Sequence, residues 1–96
     1  MSAKDAYKQK IEAELELAQA KLAEFKAQAK SSAADARIKN AEQVDELEQK
    51  INATKSKLKE LGEASDDGWE QLKAGVEGAW GALSSAIRNA AAKFKD

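Results

Sequence analysis

Lys30-Ser31-Ser32-Ala33-Ala34-Asp35 is the stretch that decides the fold, because two hydrophobic seams fall out of step across it. Upstream, Ile11, Leu15, Ala18, Leu22, Phe25, Ala29, Ser32 and Ala36 follow one another at steps of 4,3,4,3,4,3,4. Downstream, Val44, Leu47, Ile51, Thr54, Leu58 and Leu61 step 3,4,3,4,3. Each run is a heptad seam of the coiled-coil kind. Ala36, Asn40 and Val44 join them at steps of 4 and 4. That phase shift is either a stutter in one continuous helix or the trace of a turn. Ser32 with Asp35 three residues later is a cap signal in favour of a turn. Against it, the chain has no Pro and its first Gly is Gly62, and Ala is the best helix former. A continuous helix from about Lys4 to Leu61 would be roughly 85–90 Å long at ~1.5 Å per residue.

The downstream end is better marked. Lys55, Lys57 and Lys59 place positive charge where a helix dipole favours it. Gly62 stands where a left-handed C-terminal cap belongs. Ser65 is a suitable N-cap, with Asp66 and Asp67 in the following turn. The expectation is a reversal over residues 62–65 and a last helix over about 66–94. In that helix Trp69, Leu72, Val76, Ala79, Leu83, Ala86 and Ala90 form one stripe, which Trp80, Ile87 and Phe94 widen. A stripe so broad suits packing against more than one neighbour or against a membrane surface. Gly75, Gly78 and Gly81 each cost about 1 kcal/mol relative to Ala in a helix. They imply either close approach of another backbone or a helix ordered mainly by its partners.

Composition narrows function. The chain has 96 residues, 34% of them charged and 5% aromatic, with a formal charge of −1. It is a single helical domain, 1–96, of limited buried surface. Its Ala-, Glu-, Lys- and Leu-rich make-up is that of long helices. Both signs of charge are interleaved, so no nucleic-acid partner is expected. There is no Cys and no His, which removes the usual zinc sites and imidazole acid–base chemistry. No cofactor is expected. The charged start of the chain and the short apolar runs show neither a secretory signal nor a membrane span, so the expected location is cytoplasmic.

Only carboxylates remain for metal or acid–base work. Glu12, Glu14 and Glu16 form one group; Glu42, Asp45, Glu46 and Glu48 form another. All lie off the seam, and Lys8–Glu12, Lys10–Glu14 and Glu46–Lys50 are i,i+4 pairs of opposite sign. Solvated helix flanks account for them better than a hard-cation site. Ser32, Asn40 and Thr54 are polar seam positions, read as register or oligomer specification and not as a buried site. Trp69 and Trp80 are eleven residues apart and share a helix face. Core packing explains them better than a headgroup anchor, because residues 63–96 carry six acidic and four basic side chains, whereas anionic-membrane binders are basic.

Ala34-Asp35-Ala36-Arg37-Ile38, Leu58-Lys59-Glu60-Leu61 and the run from Ala64 to Trp80 resemble small bacterial, mostly proteobacterial, coiled-coil proteins. The specific part is Ser-Asp-Asp-x-Trp-Glu-x-Leu-Lys-x-Gly-Val-Glu-x-Ala-Trp, at Ser65 to Trp80. The resemblance implies a bacterial, soluble, helical protein and brings no assigned activity. Gly62 and Gly68 depart from the pattern, where better helix formers are usual, and this bears on the helix ends.

The fold expected is therefore all-α. One architecture is a long helix with the last helix folded back on it as an antiparallel coiled-coil hairpin. The alternative is an up-down-up three-helix bundle with a turn near Ser31-Ser32. The hairpin is slightly favoured. It leaves Ile11, Leu15, Leu22 and Phe25 uncovered, so it requires a second chain and a homo-oligomer. The helix-packing seam is Ile11, Leu15, Leu22, Phe25, Val44, Leu47, Ile51, Leu58 and Leu61. The candidate partner or lipid face is Trp69, Leu72, Val76, Trp80, Leu83, Ile87 and Phe94. The function expected is non-enzymatic self-association or scaffolding. The alternative is peripheral lipid- or granule-surface binding by the last helix; an adaptor for a protein partner comes third, and an enzyme last.

Overall fold

The computed structural model describes residues 2–94. It holds three α-helices: α1 (Ala3–Ser31), α2 (Ala34–Glu63) and α3 (Trp69–Phe94). Lys4 at the start of α1 reaches the end of α2, where its Nζ donates to the Ala64 carbonyl at 2.9 Å. Tyr7 meets Trp69 at the start of α3, with ring centroids 6.0 Å apart. Phe25 stacks on Phe94 at the other end, at 5.2 Å. The path is thus up-down-up, with α1 parallel to α3. The bundle measures 52 × 19 × 17 Å.

The continuous helix over residues 4–61 is corrected: it breaks at Ser32-Ala33. Neither residue needs a left-handed backbone. Ser32 sits at φ −75°, ψ 160° and Ala33 at φ −61°, ψ 152°, extended conformations open to any L residue. The absence of Gly and Pro therefore carried no weight against a turn. The carbonyls left without partners at a helix end must be satisfied, and the two serines supply this. The Ser31 hydroxyl donates to the Gln28 carbonyl at 3.1 Å, and the Ser32 hydroxyl to that of Ala29 at 2.6 Å. The out-of-phase seams were the trace of this reversal.

The second reversal also differs from expectation. Gly62 lies inside α2 and is not its cap; the helix ends at Glu63, and Ala64 leaves it extended at φ −75°, ψ 157°. No basic residue occupies the last turn of α2, so Lys55, Lys57 and Lys59 stop short of it. The positive charge there comes from α1. Lys4 spans the Ala64 and Gly62 carbonyls, and the Lys8 stem lies 3.3 Å from where a Gly62 Cβ would stand. Ser65 does cap, but it caps a turn: its hydroxyl accepts from the Gly68 N–H at 3.1 Å. The regular helix then begins at Trp69, three residues later than expected. At the other end of the chain Ser2 accepts from the Asp5 N–H at 3.1 Å and caps α1.

The three stripes meet along the bundle axis. All nine seam residues, from Ile11 to Leu61, are buried, together with Trp69, Val76, Leu83 and Ala90. Ile11, Leu15, Leu22 and Phe25 are covered by α2 and α3, so the reason for requiring a second chain disappears. Of the polar seam positions, Thr54 is fully buried and its hydroxyl donates to the Lys50 carbonyl at 2.9 Å; Ser32 and Asn40 are half-buried. Gly78 and Gly81 have no side chain or neighbouring backbone within 4 Å of a built Cβ, so no second backbone of this chain approaches them.

Two stability changes of opposite sign follow. Leu83→Ala removes a fully buried side chain and is expected to cost about 2–5 kcal/mol in urea unfolding. Gly78→Ala and Gly81→Ala are each expected to stabilise by up to about 1 kcal/mol. A loss of stability in both glycine variants would mean that, in solution, another backbone packs against this side of α3.

Candidate interaction site

The side of the bundle between α1 and α3 carries an aromatic pair at each end and a groove in the middle. Tyr7 and Trp69 clamp one end, and Phe25 and Phe94 the other. Between them lies a groove of about 230 Å³, lined by Glu14, Leu17, Ala18, Lys21, Trp80, Ser84, Ile87 and Arg88. Leu17 is 70% exposed. Trp80 and Ile87 are half-buried against the core. Ala18 is buried and is too small to fill the space beneath them. The result is a shallow apolar trough with an acidic side chain at one end and two basic ones at the other.

The expected partner or lipid face of α3 is therefore divided. Trp69, Val76 and Leu83 are core residues. Leu72, Trp80, Ile87 and Phe94 flank that core and keep part of their surface. The broad stripe reflects packing against two neighbouring helices. Leu17 and Ile38, 70% and 72% exposed, were not singled out from the sequence. Their signal was there: each is a large apolar residue that stands off the heptad seam.

A second groove, of about 740 Å³, runs between α1 and α2. Leu15 and Leu58 line it, with Lys8, Lys55 and Lys59 and with Glu12, Glu16 and Glu63. Three charges of each sign favour neither an anion nor a cation. Among the described residues, no three acidic side chains converge as metal ligands would. Glu46 pairs with Lys50 at 3.7 Å, as its spacing suggested. Lys8–Glu12 and Lys10–Glu14 are not among the ion pairs formed; Lys21–Glu24, Lys26–Glu48 and Lys57–Glu60 are. All but Lys50, which is half-buried, are well exposed, and each pair contributes at most about 1 kcal/mol. No helix among the described residues is long and apolar enough to cross a membrane.

Beside the groove, the Tyr7 hydroxyl donates to Glu77 at 3.2 Å. The Lys73 ammonium sits 5.1 Å from the Tyr7 ring and 5.4 Å from that of Trp69, within cation–π range. Burial, then the hydrogen bond to Glu77, then the charges of Glu77 and Glu14 push the Tyr7 phenol up to about 12.

Compared with known proteins, the chain matches no family model, no curated protein and no solved structure.

Tyr7 is the chain's one tyrosine, so tyrosinate absorbance reports it alone. Its midpoint is expected near 12 in the folded protein, against about 10 unfolded. Because the folded value is the higher, the stabilisation is complete below about pH 10 and is lost as pH rises through the folded value. Glu77→Gln should lower the midpoint without restoring the ordinary value, since burial is the larger cause. A wild-type midpoint at the ordinary value would mean that the Tyr7–Glu77 contact is not kept in solution.

Proposed function

We propose that this protein works by association through helix faces, as a small non-enzymatic bundle that self-associates or scaffolds. The observation that carries this reading is the α1/α3 groove. It combines one of the two large apolar side chains left exposed among the described residues, Leu17, with the partly covered Trp80 and Ile87. A long, thin bundle offers extended faces to other helices and little enclosed volume for a substrate. The absence of His and Cys from the chain supports a non-catalytic role. The resemblance to small bacterial coiled-coil proteins is in keeping with it.

Binding to a lipid or granule surface is the weaker reading. Trp69, Val76 and Leu83 are buried, so the bundle would have to open to present the whole α3 stripe. Residues 63–96 also hold more acidic than basic side chains, which an anionic surface repels.

Two measurements decide between these readings. Light scattering across a concentration series should show mass rising above that of one chain, and the rise should be weakened by Leu17→Ser. Mixing with anionic vesicles should leave the protein in the supernatant and the Trp emission unshifted. Co-sedimentation with a blue shift would reverse the order of the two readings.

A further inference from the structure

We propose that a second copy of this chain occupies the α1/α3 groove, with the two bundles antiparallel about a two-fold axis that crosses the groove at the level of Leu17 and Ser84. This rests on the self-association reading above and names its surface. The charge pattern along the groove is self-complementary. On α1, Glu14 stands three residues before Leu17 and Lys21 four after it. On α3, Trp80 stands four residues before Ser84 and Arg88 four after it. All of these line the one groove.

A two-fold axis at right angles to the helices lays α1 on α1 and α3 on α3, each pair running in opposite directions. Glu14 then comes opposite Lys21 of the partner subunit, and Trp80 opposite Arg88 of the partner subunit. By symmetry each pairing occurs twice, as an isologous interface demands. One pairing is an ion pair; the other is a cation–π contact. Leu17 packs against its own copy at the centre, where large apolar side chains contribute most. The parallel arrangement fails on charge. It would lay α1 on α3 at the same level and bring Lys21 against Arg88 of the partner subunit.

Size allows the pairing. A face of 52 × 19 Å is large enough to bury the roughly 800 Å² per partner of a standard interface. The existing Lys21–Glu24 pair, at 3.4 Å with both side chains more than half exposed, is weak and does not hold Lys21 back.

Charge reversal tests the geometry by sedimentation equilibrium, with circular dichroism confirming that each variant folds. Wild type should show a monomer–dimer equilibrium. E14K alone and K21E alone should each raise the dissociation constant about tenfold or more, because like charges then face each other. An equimolar mixture of the E14K chain and the K21E chain should form a heterodimer as tight as the wild-type dimer or tighter. Leu17→Ser should abolish dimers, and Ile38→Ser should leave them unchanged. If wild type dimerises but neither reversal changes it, or the mixture fails to pair, the groove is the wrong face and self-association stands. If wild type stays monomeric to its solubility limit, both this geometry and self-association fall.

Discussion

The carbonyl of Ala29 is the point on which the architecture turns. It accepts the Ser32 hydroxyl at 2.6 Å and the Ser32 backbone N–H at 3.3 Å, so α1 can stop without leaving that acceptor bare. One turn of Ala-rich backbone has every intrinsic reason to continue as helix. It stops because two serines meet the orphan carbonyls locally, and because stopping lets three apolar stripes close on one another. The Arg37 guanidinium adds a third link, to the Ser32 carbonyl at 3.4 Å, and ties the start of α2 to the end of α1. Without this reversal the seam from Ile11 to Phe25 would face water along its whole length.

Closure is uneven, and the unevenness produces the groove between α1 and α3. The residues sealed most completely, Thr54, Leu61, Val76 and Leu83, all belong to α2 and α3. On α1 the corresponding positions keep some exposure, with Phe25 at 5% and Leu22 at 9%. The α2–α3 pair is thus the tighter half, and α1 lies against it. Along α1 and α3 the aromatic pairs hold the ends, while in the middle α1 offers only the small Ala18 beneath Trp80 and Ile87. A trough between two parallel helices follows from a small residue at the waist of α1 and large ones at the ends. Leu17 on its rim is the side chain that this packing leaves over.

How much of this was legible follows from where each interaction acts. Heptad spacing is a local signal: the nine residues of the helix-packing seam are buried, whereas Ser32, Ala36 and Asn40, beside the reversal, are half-buried. The breadth of the α3 stripe, from Trp69 to Phe94, was also legible, and two neighbouring helices account for it. Helix ends were harder to read because the rules used for them ask for special residues. Ser32, Ala33 and Ala64 leave their helices in extended conformations that require none. Gly62 looked like a left-handed cap, yet it lies inside α2, with the flexible Lys8 stem as its nearest neighbour. The cation at the end of α2 is Lys4, sixty residues from the Ala64 carbonyl in sequence, a pairing that no local pattern encodes. The groove shared this difficulty: Leu17 is recognisable as off-seam, but only the fold places it beside Trp80 and Ile87.

The outward side of α3 is built differently from the side that faces α1. Ala74, Gly75, Gly78, Gly81, Ala82 and Ser85 are exposed there, and none has a large side chain to bury. Apolar stabilisation scales with the area withdrawn from water, at roughly 25 cal/mol per Å². A partner on that side would gain little from side chains and would depend on close backbone approach. A partner over the groove gains Leu17 and the uncovered parts of Trp80 and Ile87, with Glu14, Lys21 and Arg88 at hand to set orientation. The same helix thus carries a bare side and a rich one. The small residues on the outer surface of α3 leave its uncovered apolar area concentrated at the seam with α1.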